Sequence, residues 1–220
     1  MKKPYLILVL LVAGIGITGL LMQINKPVSP MVMLENFRDG DLVFQTSGSR
    51  QSMAIQLATH SPYSHCGLLF QQDGEWWVYE AVQPVGICPL NEWVRRGKEG
   101  RYVVKRLKDQ HLLKGKKDTL IALASSFKGK DYDPWFGWDD ERIYCSELLW
   151  KIFYRGAGIR LGELQTLGSL DLSAPQVQEI MYERYGTKTP LNDSLITPVA
   201  IFKSPLLKTV FANGEWIRND

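Results

Sequence analysis

Cysteine and histidine are scarce in this chain, with three of each among 220 residues and no CxxC pair. The spacing in "HSPYSHC" (His60, His65, Cys66) matches no common zinc module, whose ligands come in closely spaced pairs. No metal or other cofactor is therefore expected. Charge of one sign is also lacking: the net charge of +3 argues against a dedicated nucleic-acid partner. There is no internal repeat and, beyond residue 30, no low-complexity tract. The reading is one domain, residues 31–220, behind an N-terminal appendage, residues 1–30.

That appendage has no charge between Lys3 and Lys26. Two lysines followed by a long apolar run have the form of a signal peptide or a transmembrane anchor. The run comes close to the roughly 20 residues a membrane-spanning helix needs. Leu20, Leu21, Met22 and Gln23 stand where a small-x-small cleavage site would lie, which favours an uncleaved anchor. No cysteine follows the run, which argues against a lipoprotein. The expected location is extracytoplasmic or periplasmic, membrane-anchored, with the lysines left in the cytoplasm. An odd cysteine count in an exported chain leaves at least one thiol unpaired, and a Cys66–Cys88 disulfide stays open.

What is present reads as α+β, an antiparallel sheet packed by helices. "DLVFQT" (41–46), "SHCGLLFQQ" (64–72), "WWVYEAV" (76–82) and "RYVVKRL" (101–107) read as strands, with "DGE" turning a hairpin between the second and third. A helix follows Ser47 or Ser49 as cap, with Met53, Ala54, Leu57 and Ala58 at helical spacing. "KDTLIALASSFKG" is a helix stopping near Gly129, and another runs from Cys145 to about Gly156. In "LSAPQVQEIMYERYG" Ser173 caps, Pro175 sits in the first turn and Gly186 ends the helix. Arg95–Lys117 holds ten Lys/Arg against two acids, a solvated rim or an anion-facing surface.

Cys145 opens its helix in "RIYCSELLWKIF". Unpaired N–H groups and the macrodipole there favour a thiolate; the plain alternative is a small buried core residue. Glu147 would oppose the thiolate if it pointed inward. Of the histidines, His60 ends a helix and His111 lies in the basic stretch. His65, opening a strand beside Ser64 and Gly67, is the candidate base. Glu80 sits among Trp77, Val78, Tyr79, Ala81 and Val82. A carboxylate there needs a partner, because burying it alone costs several kcal/mol. Direct cross-strand pairing, at about 5 Å, would let it orient His65. Tyr144 and Trp135, next to the nucleophile, and Asp41 are candidate substrate contacts. The "YDPWFGWDDER" loop (Tyr132, Asp133, Trp135) reads as a pocket wall.

Taken together, "GDLVFQTSGSRQSMAIQLATHSPYSHCGLLF", "YEAV", "GKDYDPWFGWDDERIYCSELLWKIF" and "APQVQEIMYERYG" resemble the YiiX-like family of permuted papain-fold amidases, in the NlpC/P60 superfamily of cysteine hydrolases. The resemblance covers about residues 39–205. It implies a papain-like core in which the cysteine helix follows the sheet, with Cys145 as nucleophile, His65 as base and Glu80 as third residue. It shows no departure at these three positions and does not account for Cys66. The implied activity is thiol-dependent attack on an amide or ester carbonyl in the cell envelope. The substrate is either cell-wall peptide or, given the anchor, the basic rim and the aromatic surround, a lipid acyl group that is hydrolysed or transferred. A binding module that keeps the groove without the chemistry is the alternative from another class.

Overall fold

The computed structural model describes residues 36–214. The apolar N-terminal run lies outside the described residues. Among those described, no helix is long and apolar enough to cross a membrane.

Six strands form one antiparallel sheet: β1 (Leu42–Gln45), β2 (His65–Gln72), β3 (Glu75–Glu80), β4 (Gly86–Pro89), β5 (Val103–Leu107) and, at one edge, a late strand, Leu207–Ala212. Their spatial order is late strand, β5, β1, β2, β3, β4. The expected hairpin is present: Asp73 and Gly74 both take positive φ, 52° and 81°, as a two-residue primed turn requires. Alternation along the strands splits the apolar residues between two faces. Leu42, Phe44, Cys66, Leu68, Phe70 and Tyr79 enter the larger core. Val43, Leu69, Val78 and Val104 enter a smaller one capped by Trp93. Trp93 lies on α2 (Leu90–Arg96), a short helix that the sequence reading does not contain, as it contains neither β4 nor the late strand.

Helix α1 (Arg50–Thr59) connects β1 to β2 and is capped by Ser49, whose side chain accepts from the Ser52 N–H. Met53 and Leu57 have the expected spacing but face outward, at 53% and 36% exposure. The inward stripe is Ala54 and Ala58, against Val177 and Ile180 of α5 (Pro175–Tyr185). Alanine suits a surface on which a second helix packs closely. Ser173 is not the cap of α5. Ala174 takes that position, and the Ser173 hydroxyl turns back to Asp171 Oδ1 at 2.6 Å.

Helix α3 (Lys117–Ser126) and helix α4 (Cys145–Ala157) pack together over the larger core. Helix α4 is buried along its first nine residues, Cys145 to Phe153, and Gly158 closes it in the left-handed conformation, φ 72°. The Leu148, Leu149, Ile152, Phe153 stripe enters the larger core, while Ser146, Glu147 and Lys151 are buried on the other sides. The chain thus runs His strand, acid strand, cysteine helix, the permuted order expected from the resemblance.

Candidate active site

His65 opens β2 and Glu80 closes β3. They do not sit directly opposite one another. The ladder pairs Leu68 with Tyr79, so the register sets Glu80 beside Gly67 and on the diagonal from His65. Long side chains span such diagonals, roughly 7–8 Å. His65 Nε2 meets Glu80 Oε2 at 2.6 Å. Gly67 keeps the crossing clear and the strands close: a Cβ there would lie 2.3 Å from Val78 Cγ1 and 2.8 Å from the Tyr79 carbonyl oxygen.

The second carboxylate oxygen of Glu80 is held as well. Arg96, the last residue of α2, donates to Oε1, and the Cys88 thiol on β4 donates to the same atom at 3.2 Å. Burial alone would raise the Glu80 pKa; the hydrogen bonds from His65 and Arg96 win and hold it at about 2. Trp93, one helical turn before Arg96, stacks on the imidazole at 5.9 Å and 26°. Helix α2 therefore supplies both the cation that holds the Glu80 carboxylate and the ring that stacks on the His65 imidazole.

Cys145 is the first residue of α4, 3% exposed. Its sulfur lies close enough to His65 and Cys66 for both to act on its titration. With Nε2 committed to Glu80, Nδ1 is the nitrogen left for the sulfur. The Cys66 thiol is the largest influence on Cys145 and holds it well below the usual thiol range; burial opposes this, and His65 reinforces it. Cys66 itself is pushed up, by burial and then by the neighbouring sulfur. Burial would lower His65, but hydrogen bonds to Cys145 and Glu80 outweigh it and raise its pKa to about 9. Both directions favour a thiolate beside an imidazolium.

Glu147 does point inward, but away from the sulfur. Its Oε2 accepts from the Tyr144 N–H at 3.2 Å and its Oε1 lies 2.6 Å from Lys151 Nζ. Burial pushes its pKa up to about 8 against the pull of Lys151.

Tyr144 lines a cavity beside Cys145, and its hydroxyl accepts from the Ile196 N–H at 3.0 Å. Trp135 is 43% exposed and stacks with Arg142 at 4.7 Å, outside that cavity, while the adjacent Phe136 lines it. Asp41 is not brought to the site. It precedes β1 at the end opposite the Gln45–His65 pairing and forms a two-toothed bond with Arg106, 2.7 Å for each. An acid and an arginine buried together satisfy each other, which removes both from the surface. His60 pairs with Asp171 at 3.0 Å, and His111 lies in a short 3-10 turn, Gln110–Leu113.

All three thiols are free. Cys66 and Cys88 do not bond, because β3 runs between their strands. Sequence reasoning weighed Cys66 and Cys88 only as a disulfide pair or metal ligands, and it passed over Trp93 and Arg96. Only Cys66 carried a signal, as the neighbour of His65; Arg96 was hidden among the ten cations of its stretch.

Three comparisons bear on this geometry. The profile of the "Permuted papain-like amidase enzyme, YaeF/YiiX, C92 family" matches residues 36–211. The "Uncharacterized protein YiiX" of Escherichia coli strain K12 is 46% identical over 177 residues, 80% of this chain and 86% of that protein. The crystal structure of a YiiX from Escherichia coli O157:H7, there described as a metalloprotein, superposes with a TM-score of 0.76 at 43% identity, covering 80% of this chain and 97% of the other. Among the described residues of this chain, no group of three or more His, Cys, Asp or Glu side chains is placed to hold a metal ion. The match over most of the chain, and the high identity to these relatives, establish that this chain belongs to the permuted papain-like amidase family of YaeF and YiiX.

Proposed function

We propose that the protein is a thiol-dependent hydrolase of the cell envelope, working through Cys145, His65 and Glu80 as nucleophile, base and orienting acid. The observation that carries this reading is the His65–Glu80–Arg96 chain of contacts beside the first residue of α4, with the imidazole acting on the Cys145 thiol to lower its pKa. A thiolate at rest needs no separate base to strip its proton. It attacks the carbonyl carbon of an amide or ester. The Cys145 N–H, at the first position of α4, has no intrahelical acceptor and is a donor for the developing oxyanion. In enzymes of this kind, losing one such donor costs about 3 kcal/mol. Imidazolium His65 then protonates the leaving nitrogen or oxygen, and the carbon–heteroatom bond breaks to leave a thioester. Water, deprotonated by the now neutral His65, attacks the thioester and frees the acid. Glu80 keeps the imidazole oriented through both proton transfers.

Purified enzyme with 4-nitrophenyl esters as probes tests the reading. Cys145→Ala and His65→Ala are expected to abolish turnover, and Cys145→Ala to lose thiol-probe labelling at the site. Full turnover by folded Cys145→Ala rules the mechanism out.

A further inference from the structure

Arg184 borders the catalytic cavity without an acid of its own. It lies in the last turn of α5, half-buried, and its side chain lines the cavity that Cys145 also lines. Arg50, Arg96, Arg101, Arg106 and Arg155 each hold a carboxylate at ion-pairing distance. Among the described residues, no carboxylate does so for Arg184. The acids whose charge reaches it, Asp133 and Glu183, are engaged elsewhere. Asp133 accepts from the N–H groups of Trp135 and Gly137, at 2.9 and 2.5 Å. Glu183 accepts from Arg50 at 2.9 Å.

The contacts that Arg184 does make fix its position. Nη2 donates to Gln51 Oε1 at 2.6 Å, and Gln51 Nε2 donates to the Tyr132 hydroxyl at 2.6 Å. The guanidinium lies over the Phe136 ring, 5.2 Å from its centre. Arg50, at the start of α1, clips that helix to α5 through Glu179 and Glu183. Gln51 lines both the cavity at Cys145 and a second one at His65, which Tyr132 also lines. Arg184 is therefore one hydrogen bond from the wall that the two cavities share. One hydrogen bond leaves most of the five guanidinium donors open. A half-buried charge without a counter-ion is costly, and a bound anion relieves that cost. The arginine fork fits a carboxylate through two parallel bonds. No other Lys or Arg lines either cavity, so the charge to be matched is single: a carboxylate rather than a phosphate dianion.

Resting on the thiol-hydrolase reading above, we infer that Arg184 is a substrate-binding residue that selects an amide or ester carrying a free carboxylate near the carbonyl under attack. The carboxylate makes and breaks no bond. Held by Arg184, it fixes where the carbonyl carbon lies relative to the Cys145 sulfur.

Matched probes on the purified full-length protein test this. The first pair is the 4-nitrophenyl monoester of adipic acid and its methyl ester, with the charge on the acyl side. The second is 3-(4-acetoxyphenyl)propanoate and its methyl ester, with the charge on the leaving side. A hydrogen bond to a charged group is worth about tenfold or more. The kcat/KM ratio of anionic to neutral member is therefore expected to reach about ten or more in one pair, and that pair tells which side the carboxylate occupies. Added sodium chloride is expected to shrink the ratio by screening. Arg184→Gln, which keeps a donor for Gln51, is expected to cut it roughly tenfold. Arg184→Lys, which keeps the charge but not the fork, is expected to cut it less. Wild-type ratios near one in both pairs overturn the inference and leave the hydrolase reading standing. A ratio that survives Arg184→Gln also overturns it. So does an equal loss on anionic and neutral members, because Arg184 would then serve only to hold Gln51. If the variants fail to fold, wild type alone decides: a preference indifferent to salt overturns the inference. No turnover of any probe, with Cys145 still alkylated, overturns the hydrolase reading and this one with it.

Discussion

Cys145 and Cys88 both touch the His65–Glu80 pair, one at the imidazole and the other at the carboxylate, and the same pair drives them in opposite directions. Cys145 receives donors, the Cys66 thiol and N–H together with the imidazole, and its pKa falls. Cys88 faces an acceptor. Burial raises its pKa, the Glu80 charge raises it further, and it ends at about 12. Cys88 is the more exposed of the two. Exposure therefore does not decide which thiol has the lower pKa; the sign and hydrogen-bonding role of its neighbours do. A helix N-terminus adds to the effect at Cys145, whereas Cys88 sits mid-strand.

The comparison breaks most sharply at Glu80. Glu80→Gln removes the charge while keeping the shape. Imidazolium His65 loses its counter-ion and its fixed orientation. By analogy with other orienting acids, kcat is expected to fall by roughly 10⁴. The two thiols should then move toward each other: Cys145 titrates higher, because the imidazolium that favours its thiolate is destabilised, and Cys88 titrates lower, because the nearby negative charge is gone. Alkylation rates at each cysteine across pH, read by mass spectrometry of the peptides, measure both. Shifts in the same direction would refute the shared-pair account.

The same carboxylate sharpens the comparison through stability. Glu80 is depressed from 4.5 to about 2 on folding. A depressed acid stabilises the fold above its unfolded pKa, and that contribution disappears as pH falls through the folded value. The loss is expected between about pH 4.5 and pH 2 and amounts to about 3 kcal/mol. His65 works in the other direction. It is raised from 6.5 to about 9, so its contribution is complete below 6.5 and fades as pH rises through 9. Urea unfolding of wild type and Glu80→Gln at pH 6 and pH 2.5 reads the acid limb. Equal acid sensitivity in the two proteins would show that Glu80 is not held by the contacts described.

Much of this was legible in the chain, because it rests on short-range pattern. Short apolar runs beside turn signals marked β1, β2, β3 and β5. "DG" marked the hairpin, and an apolar period behind a tyrosine and a cysteine marked α4. His65 and Glu80 could be paired because one hairpin joins their strands. The remainder depends on contacts distant in sequence or on sterics that no local pattern records. Arg96 becomes the partner of Glu80 only because α2 folds back over β4. Arg106 looks like surface charge until Asp41, which approaches from β1, buries it. The inward stripe of α1 is alanine rather than methionine and leucine because α5 packs there. Cys66 alternates to the core face of β2, yet as the strand's second residue it still reaches the helix N-terminus above.

That last contact gives the smallest of the expected effects. The Cys66 thiol and, to a smaller extent, its backbone N–H both act to lower the pKa of Cys145. Cys66→Ala removes the first donor and keeps the second. A hydrogen bond to a charged acceptor contributes about 1.5–3 kcal/mol. With the backbone bond retained, alkylation of Cys145 at pH 6 is expected to slow by roughly tenfold, the lower end of that range. Cys66→Ser restores a donor of nearly the same size and should recover most of the rate. That recovery separates hydrogen bonding from packing, because alanine and serine leave a similar space in the core where Cys66 is fully buried. If serine and alanine slow the reaction equally, the Cys66 thiol acts only as filler, and the low pKa of Cys145 rests on His65, the backbone and the helix terminus alone.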